Sequence, residues 1–282
     1  MVCPRQFSDT DGLCESPHDC PAKWCAMITL YLDESGTHSK NHVIVAGFAG
    51  KKRHWDHFSK EWPKGRGDRP RLHLNTMPFK SHKEKDWLEA LAPIPYESKL
   101  LAVFGAVNVA DYFDLIEGTV AEVHAQGACL ALAPIVVELM AKIPGDERFE
   151  FQFEASPLDF YMGKMMKVLA GFPGWRRHDG KSRIARWAFI PKENCMLFEP
   201  ADYLANHLYH KKVDSTSRRA QWTEPIVRGR EIIGDTMSRE TARNLFSHIQ
   251  RDEFHKNIPR EAIKAYRKGI RLGTHRDPWR NF

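Results

Sequence analysis

The chain has 282 residues, 42% of them hydrophobic, which is enough to bury a core in one large domain or two small ones and too apolar for a wholly disordered polymer. Its formal charge is +6, unevenly placed: residues 211–282 carry 17 Lys and Arg against 9 Asp and Glu, so the first 210 residues are slightly acidic. No stretch approaches the roughly 18–20 apolar residues that span a bilayer, which excludes a helical membrane protein, and the basic final third suits a polyanion such as DNA or RNA, with a merely solvated surface as the alternative.

Four of the six cysteines, Cys3, Cys14, Cys20 and Cys25, fall in residues 1–26, a Pro-, Asp- and Ser-containing stretch without periodicity. It reads as a mobile extension or as upstream sequence from a start-site choice, ahead of a small zinc knuckle and of disulfides. No signal-peptide apolar core precedes these cysteines, and a cytoplasmic protein is expected.

Ile28, Leu30 and Leu32 alternate with Thr29, Tyr31 and Asp33, predicting a strand buried on one face that ends in Asp33-Glu34-Ser35-Gly36. His42–Phe48 follows closely enough to make a hairpin. Lys51–Trp62 has Trp55, Phe58 and Trp62 at helical spacing, and Pro63–Pro70 reads as a loop. Leu72-His73-Leu74 is a candidate strand fragment, and Ser81–Leu91 a helix. Lys99–Ala110 is a strand. Tyr112–Ile143 is a helical region with breaks expected near Gly118, Gly127 and Pro134. Arg148–Glu154 alternates Phe149, Phe151 and Phe153 with Glu150, Gln152 and Glu154, a further strand ending in an acid. Leu158–Leu169 is helical, Arg183–Ile190 a strand, and Phe198–Tyr209 a helix with Pro200 in its first turn. The remainder reads mainly as helices, notably Ser238–Gln250 and Arg260–Lys268. Strands followed by helices predict an α/β layer fold with a mixed sheet.

Asp33, with Glu34 beside it, and Glu154 end strands. Glu199 and Asp202 open a helix whose packing face is Ala201, Leu204, Ala205 and Leu208. Carboxylates converging from separate elements repel one another unless a cation neutralises them, and hard oxygen donors suit Mg2+ or Mn2+. Two such ions can activate water and stabilise a leaving oxygen in phosphodiester cleavage. The expectation is that Asp33, Glu154 and Asp202 hold metal, with Glu199 as a further ligand and Glu34 or Glu199 orienting water. The competing reading keeps each acid separate: Asp33 in a turn, Glu154 solvated, and Asp202 facing a helix dipole. His73 reads as a structural histidine, with a proton shuttle as the alternative. Trp175, Trp187 and Trp222 lie near arginines and read as core or rim residues rather than base-stacking platforms. Ser35 has no nucleophile elbow around it, and no P-loop or dinucleotide fingerprint occurs.

Tyr31-Leu32-Asp33-Glu34-Ser35-Gly36, the Gly-containing second strand with its Trp/Phe helix, the Leu72-His73 element and the late Ala201-Asp202-Tyr203-Leu204-Ala205 helix together resemble the DUF3800 family over about residues 27–210. That family looks like a divergent branch of the ribonuclease H-like superfamily. The resemblance implies a ribonuclease H-like mixed sheet flanked by helices, and a metal-dependent nuclease. It carries over to Asp33, Glu34 and Asp202, and to Glu154 by order along the chain. Arg71 stands where the family often has an acid, and Glu199-Pro200 where it often has a polar residue or Gln. The resulting organisation is an extension over 1–26, the α/β domain over 27–210, and a basic helical region over 211–282 packed on that domain. A catalytically inactive nucleic-acid or protein binding module on the same fold is the alternative function.

Overall fold

A computed structural model of the chain describes residues 27–36, 42–108, 120–143, 145–156, 159–171 and 176–241. The expectations for residues 1–26 and their cysteines, for Tyr112–Thr119, Trp175 and Arg260–Lys268, and for most of Ser238–Gln250 and of the basic final third, lie outside the described residues.

Six strands form one mixed sheet: β1 (Met27–Ser35), β2 (His42–Lys51), β3 (Leu101–Asn108), β4 (Arg148–Glu154), β5 (Ile184–Ile190) and β6 (Ile232–Thr236), in the order β5-β4-β1-β2-β3-β6. β2 runs antiparallel to β1 and β3, while the β1–β4, β4–β5 and β3–β6 pairs are parallel. β1, β4 and β5 therefore end at the same edge of the molecule, which places the residues following them side by side.

Helices cover both faces. On one face α4 (Val120–Lys142) and α5 (Asp159–Gly171) pack on the sheet, enclosing Leu30, Leu32, Val43, Val45, Val103 and the phenylalanines of β4. On the other, α1 (Lys52–Arg66) and α6 (Glu199–Val213) pack on Ile44, Ala46, Phe48 and Ala102 through Trp55, Phe58, Trp62, Tyr203 and Leu204. α2 (His82–Leu91), α3 (Ile94–Glu97) and α7 (Arg218–Thr223) complete this layer. Because side chains alternate across a strand, the apolar set of β1 and β4 lines the α4–α5 face. Thr29, Tyr31, Asp33, Glu150, Gln152 and Glu154 are left on the α6 face.

The elements differ from expectation in four places. α1 runs through Pro63 to Arg66 instead of yielding to a loop. A proline inside a helix normally costs a hydrogen bond and a clash, but here the last turn is tied down by Glu199, which accepts from Trp62 Nε1 at 2.8 Å and pairs with Arg66 Nη1 at 2.9 Å. α4 continues through Gly127 and Pro134 without a break, pressed so close to β3 that a Cβ on Gly105 would meet the Ala131 carbonyl oxygen at 1.7 Å. Leu72-His73-Leu74 is no strand but leads into a short 3-10 turn, because the Leu72 and Leu74 N–H groups donate to the carboxylates of Glu199 and Asp202. The region after residue 210 is not only helical: β6 extends the sheet beyond β3.

Candidate functional site

The pleat and the register assemble the site. Leu32 pairs with Phe153 in the parallel β1–β4 ladder, so Asp33 and Glu154 are the next residues on adjacent strand ends, both on the α6 face. α6 lies over β1 and β2, with Asp202 in its first turn. β5 ends at Ile190, and Lys192 follows in a 3-10 turn, Lys192–Asn194, at the same sheet edge.

The Lys192 ammonium sits at the focus of the three carboxylates. Its Nζ lies 2.7 Å from Glu154 Oε2, 3.1 Å from Asp33 Oδ2 and 3.5 Å from Asp202 Oδ2. The structure thus brings Asp33, Glu154 and Asp202 together from three separate elements. Each acid is oriented further. Asp33 Oδ1 accepts the Glu34 N–H at 2.8 Å. Asp202 Oδ2 accepts the Leu74 N–H at 2.9 Å, and His73 Nδ1 approaches it at 3.4 Å from the half-exposed rim.

The electrostatics follow from three negative charges sharing one positive charge in a largely dry corner. Burial, and the neighbouring Asp202, push Asp33 above the usual carboxylate range against the pull of Lys192. Burial and Asp33 push Glu154 up to about 7. Burial also works on Asp202, but its bonds with His73 and Leu74 and the Lys192 charge outweigh it, and its carboxyl lies below the ordinary value. Burial pulls Lys192 down, yet the combined field of the three acids holds its ammonium above the usual lysine value. His73 is raised, first by its hydrogen bond to Asp202.

Glu34 and Glu199 stand apart from this cluster. The pleat turns Glu34 away from Asp33, toward Ser156, Asp159 and Cys129 on the α4–α5 side. There burial and the charge of Asp33 lift it to about 8, and it does not face the site it was expected to serve. Glu199 is buried and saturated by Trp62, Arg66 and the Leu72 N–H, so it anchors α1 and the 72–74 segment rather than offering oxygens to a cation.

Lys192 itself escaped the sequence reading, because only the parallel alignment of β5 with β4 and β1 reveals its place. β5 is a strand of the same parallel set, so a cation two residues beyond its end had to arrive near the acids. The Arg71 guanidinium donates to the carbonyls of Lys192 and Glu193 and fixes that turn. Beside the cluster, Glu150 and Gln152 of β4 are buried, while on β5 the Arg186 side chain is 60% exposed and paired to Glu150 at 2.8 Å. Trp187 packs against the core on the opposite face, and Trp222 is buried beneath Arg218.

Among the described residues no three His, Cys, Asp or Glu side chains already stand in metal-holding geometry. The three oxygens stand 2.7–3.5 Å from the ammonium nitrogen, farther from that centre than the about 2.0–2.1 Å of a Mg2+ shell. Among the described residues, no helix is long and apolar enough to cross a membrane. No family model and no curated protein matches the chain.

Proposed function

We propose that the chain is a Mg2+- or Mn2+-dependent nuclease on a ribonuclease H-like fold, with Asp33, Glu154 and Asp202 as metal ligands. The observation that carries this reading is the meeting of the three carboxylates around a single cation at the shared end of β1, β4 and β5. The mixed sheet with one antiparallel strand and helices on both faces agrees with the DUF3800 resemblance. The donor set fits a hard divalent ion: all three are carboxylates, brought from separate elements to one point.

A divalent ion bound there supplies Lewis-acid stabilisation of the phosphoryl oxygens and a more acidic water. The chain's own residues do the rest. The Glu34 and Leu74 N–H groups hold Asp33 and Asp202 in fixed orientations. His73, half exposed at the rim with its proton favoured by Asp202, is placed to protonate a leaving oxygen. The partly exposed side chains of Glu154 and His73 give a phosphodiester access to the cluster from solvent. The basic final third supplies a sequence-independent backbone attraction that weakens with salt.

The seat of Lys192 also favours a second reading, in which the ammonium permanently neutralises the acids and the protein only binds nucleic acid or protein. The test is cleavage of labelled single-stranded and duplex DNA and RNA by the full chain with Mn2+, Mg2+ or chelator. Metal-dependent products that vanish in Asp33→Asn and Asp202→Asn support the nuclease. Turnover retained in both variants rules out the metal mechanism, and binding without cleavage favours the module.

A further inference from the structure

Resting on that metal-dependent reading, we infer that Lys192 is an exchangeable internal cation: its ammonium holds the three carboxylates together in the metal-free protein and leaves for solvent when a divalent ion enters. Three carboxylates face one ammonium at the focus of the cluster. A divalent ion brings one further positive charge to the same point, and it cannot share that point with Nζ. One of the two must go.

The structure separates the part of Lys192 that is fixed from the part that can move. Its carbonyl and that of Glu193 are pinned by Arg71, and Asn194 N–H closes the turn onto Pro191. The side chain beyond Cα is a flexible four-carbon stem with three donors at its tip. Its neighbours Pro191, Glu193 and Asn194 are exposed. The ammonium therefore has water within reach of a simple change of rotamer, with no movement of β5 or of the turn. Arg71, which stands where the resembled family often has an acid, is a positioning residue: it keeps the turn in place whether the stem is seated or released. The consequence is a threshold. Apparent metal affinity is reduced by the fraction of molecules in which Lys192 is seated.

Two measurements on the full chain test this. In the wild-type protein, acetic anhydride labelling read by peptide mass compares Lys192 with the exposed Lys60, with and without saturating Mn2+. Exchange requires Lys192 acetylation to rise several-fold with Mn2+ while Lys60 is unchanged. In parallel, calorimetric Mn2+ titration of Lys192→Met should show affinity tighter by about tenfold or more, the factor expected if the ammonium is seated in most molecules. Mn2+ binding with unchanged Lys192 labelling overturns the exchange and leaves the metal reading standing. Equal or weaker binding by a folded Lys192→Met does the same. No Mn2+ heat in either protein overturns the metal reading itself, and the exchange with it. The labelling arm needs no substitution, so it decides the matter even if Lys192→Met fails to fold.

Discussion

At the scale of single residues, the proposed chemistry and the stability of the fold rest on different acids. Asp33→Asn keeps the shape of the side chain and leaves Lys192 paired with Glu154 and Asp202, so the fold should persist while metal-dependent cleavage falls by more than about 100-fold, beyond the usual cost of losing an outer-shell partner. Circular dichroism and a nuclease assay on the same sample check both halves. His207 provides a separate probe away from the cluster. It is buried on α6, with Nδ1 3.1 Å from Thr223 Oγ1, and burial followed by the Lys211 charge lowers it from 6.5 to about 4. The unfolded chain therefore binds more protons than the folded one between those values. Stability is unaffected above about pH 6.5 and falls as pH drops toward 4, by up to about 3 kcal/mol from this one group. Denaturant midpoints from pH 7 to 4 should show a shallower loss in His207→Gln than in the wild type.

At the scale of elements, Glu199 joins three pieces of chain: the last turn of α1, the segment at Leu72 and the start of α6. Glu199→Ala leaves Trp62 Nε1 and the Leu72 N–H without their acceptor and the Arg66 charge unpaired. Unfolding free energy should drop by about 3–5 kcal/mol, the usual cost of breaking a buried pair from one side. Metal binding by whatever fraction remains folded should change little. A loss of metal affinity in Glu199→Gln at unchanged stability would instead return Glu199 to the ligand set.

The legibility of each element has a physical basis. β1 and β4 could be read directly because one face of each meets a helix layer and the other stays polar, so their alternation is clean. Leu72-His73-Leu74 alternates just as well, but its N–H groups go to side-chain carboxylates, which no periodicity reveals. β6 was missed because Ile232-Ile233-Gly234-Asp235-Thr236 has only two apolar residues; pairing with β3 and cover from α4 make it a strand. Asp33, Glu154 and Asp202 were legible because each follows a strong apolar run or opens a helix. Lys192 was not, since a lysine in a short turn carries no local signal; only the parallel alignment of β5 with β4 and β1 brings it to the acids.

At the scale of the whole molecule, the sheet crosses the boundary that the change in composition at residue 210 implied. β6 covers the edge of β3 with a parallel ladder, and Met237 N–H adds a bond to the Ala106 carbonyl at 2.8 Å. A chain ended at residue 210 would bare that edge and remove Trp222 and Ile226 from the α1–α6 core. Exposed strand edges recruit other chains, so the shortened protein should melt lower and run as aggregates on size exclusion, whereas independent domains would leave a stable monodisperse product. The arrangement also links stability to the proposed chemistry, because the layer that holds Asp202 in place is built partly from residues beyond 210.

In the proposed nuclease, Asp33, Glu154 and Asp202 share a divalent cation at the point where Lys192 sits. An anomalous difference map from crystals of the full chain soaked in Mn2+ tests it most directly. A peak is expected within coordination distance of oxygens from all three carboxylates, with the Lys192 ammonium displaced from between them. A map with no peak there at saturating Mn2+, and Lys192 still bridging the acids, would contradict it.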